Sequence, residues 1–389
     1  MIKYLLFLYL LFVNFWNIKP FGNFSVDIQL MAIVAYLIFG CIKYRRRSRI
    51  SFVGKYNYMK WIFIGILLSM LPAYLFYGQP ILQSLITYRT QYLIVTIPTL
   101  FIISPRLEEV VKSLFLFSFI LLGANLLIKF NYNLFVLKAS TIDRISISIN
   151  ENELSRVEGI EYITIPLFYY LQQIKDRFNT KSFLKVLFLL FVIFIVENRS
   201  TLFPAIVFTL YTFVFIKSKY KPIIWTVIFV IGVFFAIENL DVFTSLIEQT
   251  TEELGDQDYN RNKAWSYFLY MFSPHWSCYI LGNGFLSAHY SPIMQLLMKE
   301  GIYNSDVGFI GYWNQFGIIP IFVFLVMYIK TLRNNSFPYF LKCMSLFALM
   351  GSLTLSYYGQ CVHIFYFMLF YYLYYFYKSK QNLIKSLTR

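Results

Sequence analysis

The chain alternates between long apolar runs and short polar intervals, and the polar intervals alternate in charge. Many of the apolar runs are about 17 to 22 residues long, the length a helix needs to cross a hydrocarbon core. The pattern predicts an all-α, polytopic integral membrane protein with about twelve transmembrane helices. They fall over 4–16, 26–42, 61–77, 92–103, 114–130, 160–174, 183–196, 202–216, 223–237, 307–329, 339–355 and 362–377. Residues 1–389 form a single transmembrane domain on this reading, with one large extracytoplasmic loop at 238–306 inside it. The first run follows Lys3 and has no small-x-small cleavage site, so it reads as an uncleaved helix and not as a signal peptide.

Charge sets the orientation. With the N-terminus inside, the even-numbered loops, the helix ends beside them and both termini hold 24 of the 34 Lys and Arg residues. The basic runs include KYRRRSR (43–49), PRLEEVVK (105–112), KDRFNTK (175–181), KSKYK (217–221) and KTLR (330–333). Only Glu108, Glu109 and Asp176 of the 19 acidic residues share that side. This is the positive-inside asymmetry, repeated loop after loop. It expects a multi-pass membrane protein with both termini cytoplasmic and its long polar loop on the extracytoplasmic side.

Two outer loops are long. The first, 131–159, carries Arg144 and Arg156 among Asp143, Glu151, Glu153 and Glu158. The second, 238–306, exceeds an ordinary connection and is too aromatic to be disordered. Helical patterns run through it: Val242, Leu246, Ile247 and Leu254, then Trp265, Phe268, Leu269 and Phe272. Ser291-Pro292 opens MQLLMKE, which stops at Gly301, a start and stop in the usual order. Short amphipathic helices lying on the outer surface as a lid are the expectation.

Composition agrees with lipid as the solvent: 58% of the 389 residues are hydrophobic, 21% aromatic and only 14% charged. The net charge of +15 is spread over loops facing anionic lipid, so no nucleic-acid partner is expected and membrane lipids are. Cys41, Cys278, Cys343 and Cys361 form no CxxC pair. Cys278 and Cys361 share the outer side and could pair, but unpaired thiols are the simpler expectation.

Candidate chemistry concentrates outside. Five arginines lie on the acidic face: Arg89, Arg144, Arg156, Arg199 and Arg261. Arginine grips phosphate through a planar fork and keeps its charge in any surroundings. Arg199 stands in ENRSTLFP, ahead of a helix opened by Ser200 and Thr201, where the free N–H groups of a helix start also favour an anion. The plainer account is an interfacial arginine paired with Glu197. Asp256-Gln257-Asp258 spells a DxD metal–nucleotide pattern, yet Glu252, Glu253 and Gly255 beside it make a solvated acidic turn the better account. Gly282-Asn283-Gly284 reads as a turn between surface helices. His275, His289 and His363 have no metal spacing, so no metal and no cofactor are expected. Asp306, where the long loop re-enters the membrane, leads the candidates for a base, with His289 second.

The order of these motifs resembles the O-antigen polymerases and the related O-antigen ligases. It runs Arg199-Ser200-Thr201-Leu202, then R-x-x-x-W from Arg261 to Trp265, then the G-x-G-F turn Gly282-Asn283-Gly284-Phe285, then Asp306 ahead of Gly317-Ile318-Ile319. The resemblance covers roughly the second half of the chain. In the ligases a His–Asn pair usually precedes the final helix, whereas Asp306-Val307 stands here, which argues for the polymerase. The resemblance implies a glycosyltransferase that moves a growing glycan from undecaprenyl pyrophosphate to an incoming lipid-linked repeat unit. Arg199 and Arg261, with Arg89 and Arg156, would hold the pyrophosphate, and Asp306 or His289 would be catalytic. A chain-length regulator and a flippase are the protein partners it implies. Ligase-type transfer to another acceptor is the nearest alternative, and a lipid-linked saccharide flippase or transporter is the alternative from another class. Transporters tend to show repeated halves and sites on broken helices, and the apolar pattern shows neither.

Overall fold

Residues 1–15, 26–45, 56–130, 159–196, 199–216, 221–222, 226, 260–270, 274–354 and 361–387 are described by a computed structural model. Every regular element among them is helical. In order they are α1 (Ile2–Phe12), α2 (Val26–Tyr44), α3 (Asn57–Leu68), α4 (Met70–Tyr77), α5 (Ile81–Thr87), α6 (Ile97–Ile103) and α7 (Leu107–Phe130). Next come α8 (Ile160–Asp176), α9 (Thr180–Ile195), α10 (Arg199–Val214), α11 (Asn260–Tyr270), α12 (Ser277–Leu281) and α13 (Pro292–Lys299). The last four are α14 (Gly308–Phe316), α15 (Ile318–Arg333), α16 (Tyr339–Thr354) and α17 (Cys361–Leu387).

Among the described residues, three helices are long and apolar enough to cross a membrane: Val26–Tyr44, Asn57–Tyr77 and Leu107–Leu127. A fourth joins them if the bent pair Ile81–Thr87 and Gln91–Ile103 counts as one span. Shorter apolar helices, among them Ile2–Phe12, Ser200–Val214 and Tyr339–Leu353, surround these. The chain is therefore an all-α protein with the apolar helices of a multi-pass membrane protein. The expected span at 223–237 lies outside the described residues.

The hub of the bundle is α17. Every residue from 361 to 375 is buried, in a stretch so rich in Phe and Tyr that no face is left polar. A helix apolar all round belongs in a core and not at a surface. It packs against α1, α6, α8 and α16, while α8 in turn packs along α7, α9, α10 and α16.

Contacts sort the helix ends into two groups. At one end Gly159 abuts Val13, Glu161 faces His363, and Gly308 meets the carbonyl of Ser352. At the opposite end the Phe340 N–H donates to Gln172 (3.1 Å), the Tyr372 hydroxyl to the Pro105 carbonyl (2.9 Å) and the Lys330 ammonium to Tyr58 (3.1 Å). Lys175, Arg333 and Lys378 lie at this second end as well, within or just after the last turns of apolar segments. These basic residues gather at one end of the described bundle, the end that the sequence reading expects to face the cytoplasm.

Two helices expected to be continuous are broken. The expected span over 92–103 is a 3-10 segment, Gln91–Thr96, followed by α6, with a 68° bend to α5. The expected span over 307–329 stops at Gly317 and restarts as α15. Gly317 has φ +75°, and a side chain there would meet the Ile280 carbonyl, so the break is a close approach that only glycine fits. The absence of broken helices, used above against a transporter, therefore does not hold.

Candidate functional site

The break at Gly317 is filled from above by the turn Gly282-Asn283-Gly284-Phe285, which the sequence had suggested lies between surface helices. It is buried instead; Asn283 is 2% exposed. A helix that stops inside a membrane protein leaves carbonyls that water cannot reach, and something must satisfy them. Here the Asn283 N–H donates to the Asn314 carbonyl (2.6 Å) and the Gly284 N–H to that of Gln315 (2.9 Å). The turn is the C-terminal cap of α14, supplied from thirty residues earlier in the chain.

The other side of the turn is held by the α4–α5 region. The Tyr88 hydroxyl accepts from the Phe285 N–H (2.8 Å) and lies 2.9 Å from Ser69 Oγ. Fully buried Gln79 donates through Nε2 to Ser84 Oγ (2.9 Å) and the Phe285 carbonyl (3.2 Å), and accepts at Oε1 from the Ser287 N–H (2.7 Å). Thr87 Oγ1 donates to the same Phe285 carbonyl (3.2 Å), and the Tyr77 hydroxyl to Asn283 Oδ1 (3.2 Å). Below the turn, Asn304 Nδ2 donates to Asn314 Oδ1 (3.0 Å), and the Trp313 indole N–H to the Tyr279 carbonyl (2.6 Å). None of Gln79, Tyr88, Asn304 or Asn314 is a candidate in the sequence reading, because the partners of each come from other elements of the chain.

Beyond this turn the outer segment builds a small core of its own. Ala264 and Phe268 of α11, Leu297 of α13, Ile302 and Val307 are buried together, with Trp265, Tyr267, Met294 and Ile310 against them. The expected helix after Ser291-Pro292 is present, its N-cap hydroxyl accepting from the Met294 N–H (3.3 Å). Ile293, Leu296 and Met298 on its other side remain exposed, as on a helix lying at a membrane interface. Burial pushes the Tyr267 phenol up from its ordinary value.

The residues expected to do chemistry are distributed as follows. Arg199 is the first residue of α10, Arg261 the second of α11, and Asp306 lies in the 3-10 turn Asn304–Val307. Helix α11 rests on that turn and on α14, which brings the backbones carrying Arg261 and Asp306 to one place. The turn also touches α16, and α10 runs beside α8, so the start of α10 and the turn share the end of the bundle that holds Glu161 and His363. Arg89 does not join them. Its Nε is 2.8 Å from Asp27 Oδ1 and its Nη1 donates to the Ile86 carbonyl (3.0 Å), tying the α5–α6 bend to the start of α2. His289 is exposed, with its ring edge-on to Tyr290 and its backbone N–H on Ser287 Oγ (3.3 Å). His275 stacks on Phe76, with its Nδ1 2.8 Å from Ser277 Oγ. Arg144, Arg156, Asp256 and Asp258 lie outside the described residues.

Among the described residues no three His, Cys, Asp or Glu side chains come together as a metal site would need. None of the four cysteines is in a disulfide, Cys278 and Cys361 included. Among known proteins the chain matches no family model and no curated sequence.

Proposed function

We propose that the chain is a membrane-embedded glycosyltransferase that polymerises lipid-linked saccharide repeat units at the outer face of a bacterial cytoplasmic membrane. The observation that carries the reading is the meeting of α11 with the Asn304–Val307 turn at the end of the bundle where α10 also starts. That end combines the backbones of Arg199, Arg261 and Asp306 under a lid with its own apolar core. A hydroxyl of the incoming unit attacks the anomeric carbon of the glycan, the new C–O bond forms, and the bond to the polyprenyl pyrophosphate breaks with its electron pair. Pyrophosphate leaves readily once its charge is held, and Arg199 and Arg261 supply that charge without a metal. Arg89, held by Asp27, is assigned no share of this work. Family resemblance rests on short motifs in the second half of the chain and adds the substrate class: an undecaprenyl-pyrophosphate-linked oligosaccharide, with a chain-length regulator and a flippase as companions.

Reconstitution of the purified chain in liposomes with lipid-linked repeat units tests the reading. A ladder of lengthening products is the expected result. Arg199→Lys should lower the rate about 10²- to 10³-fold, because a point charge does not reproduce the bidentate fork of a transition-state donor. A wild-type rate for Arg199→Lys with normal membrane insertion would make Arg199 an interfacial anchor and remove the proposed pyrophosphate site.

One observation favours a second reading. Helices interrupted inside the bundle, as at Gly317 and at the α5–α6 bend, are how transporters build substrate sites. On that reading the chain moves the lipid-linked saccharide across the bilayer, and the same liposomes would show translocation with no chain growth.

A further inference from the structure

The aromatic hub α17 contains one histidine, His363, and that residue is buried. His363 is 6% exposed, and its Nε2 lies 3.7 Å from Oε1 of Glu161, which is 7% exposed. Glu161 is likewise the only acidic residue of α8 apart from Asp176 at its far end. Two helices otherwise lined with Ile, Leu, Phe and Tyr thus place an acid and a histidine at their outer ends against each other. An ion pair taken out of water costs several kcal/mol before its own attraction is counted, and a hydrophobic pair of similar volume would serve packing at least as well. Ionisable side chains kept at such depth mark proton or substrate chemistry more often than stability.

Position narrows the role. Glu161 and His363 each sit in the first turn of their helices, so the pair lies about one turn, roughly 5 Å, below the bundle end. That is the end where α10 starts and where the Asn304–Val307 turn meets α16. The other titratable groups that the packed helices bring to this level are Tyr9 of α1 and Tyr162 of α8, whose rings stand 5.7 Å from that of Phe365. Among the described residues α16 adds no charged group toward this end, and no Lys or Arg of the helices packed on α17 lies there.

We propose that His363 is the base of the glycosyl transfer and that Glu161 is its positioning residue, an assignment that rests on the polymerase reading. As the acceptor oxygen bonds to the anomeric carbon, its proton passes to His363 Nδ1, while Glu161 orients the ring through Nε2 and balances the imidazolium. The bond to pyrophosphate breaks in the same step, and the proton returns to solvent at the outer face before the next turnover. The 3.7 Å separation is longer than a hydrogen bond, and catalytic contacts of this kind commonly tighten only when substrate is bound.

Turnover in liposomes supplied with lipid-linked repeat units, followed from acid to mildly alkaline pH, tests the assignment. His363→Gln should lower the rate about 10²- to 10⁴-fold, the contribution of a positioned general base, with carrier-lipid binding unchanged. Glu161→Gln should lower it less and displace the acid limb of the pH profile. Breaking one half of a buried pair can also unfold a chain, so the double variant Glu161→Gln/His363→Gln is the decisive one, because removing both halves restores neutrality. A pair that only holds helices together predicts that the double variant recovers activity relative to the single ones. A base predicts that it stays as inactive as His363→Gln. Wild-type polymer growth with more than half the rate kept by the double variant would overturn the base and leave the polymerase standing. No polymer from the wild-type chain would overturn the polymerase reading, and the base with it.

Discussion

Two buried polar regions divide this bundle, and they are built on opposite principles. Around Gly282–Phe285 the polar groups are neutral and numerous, and they are tied by a dense set of hydrogen bonds from Gln79, Tyr88, Asn314 and the backbone. Each such bond is worth about 1 kcal/mol net, but leaving a buried partner unmade costs more, so the region acts as a lock in which every member holds the others. Glu161 and His363 make an ionic contact, longer than a hydrogen bond, inside an aromatic shell. The first region fixes where a broken helix ends. The second adds little rigidity and keeps two titratable groups at the end of the bundle, which is what chemistry needs and packing does not.

If that contrast is right, damage to the lock should appear as lost stability and damage to the pair as lost turnover. The largest structural effect is expected at Gly317. Gly317→Ala forces a methyl group against the Ile280 carbonyl at a positive φ, and should cost about 2–3 kcal/mol or prevent folding, read by thermal unfolding in detergent. Gly123→Ala in α7, where a methyl group meets open space, is the matched control and should be neutral or slightly stabilising. Equal losses at both glycines would mean that the Gly317 break is not held by the turn.

Tyr88→Phe comes next. It leaves the Phe285 N–H and Ser69 Oγ without their shared partner and should cost about 1–3 kcal/mol while polymer growth per folded molecule stays near normal. Turnover falling far more than the folded fraction would make this region part of the active site and erase the comparison. Asp27→Asn should cost no more than about 1 kcal/mol, since both partners of its ion pair with Arg89 are more than a third exposed and screened by solvent. The smallest effect concerns Cys278. Burial pushes its thiol up, against a smaller lowering from hydrogen bonds with the His275 backbone and Ser277. Because the thiolate is the reactive form, maleimide labelling of the folded chain should be slower than that of the chain unfolded in SDS. Equal rates would show that the 277–287 segment is not seated in the bundle.

How far the sequence revealed this depends on the range of the interaction. Helices α2, α3, α4 and α7 were legible because a continuous apolar run in a charge-flanked frame has one solution. Helix α13 was legible because its cap, Ser291, is adjacent in the chain. The break at Gly317 was not, because 307–329 is apolar throughout and the groups that cap α14 come from Asn283 and Gly284. Gly78-Gln79-Pro80 was a signal passed over: a polar side chain between two helix-ending residues, inside an apolar stretch, needs buried partners. The pairing of Glu161 with His363 joins residues two hundred positions apart, yet each is conspicuous as the one Asp, Glu, His, Lys or Arg at its described end of an apolar helix.

The burial of α17 on every side has a consequence for how the protein is made. Every helix it packs against, from α1 to α16, leaves the ribosome before it does. Until residues 361–375 arrive, those helices enclose a slot meant for a column of Phe and Tyr rings, and lipid or the insertion machinery must occupy it. Assembly therefore runs from the outside inward, with the central helix seated after its neighbours. Chains halted before this helix would present an open, aromatic-lined seam to the membrane, the kind of surface that quality-control proteases recognise.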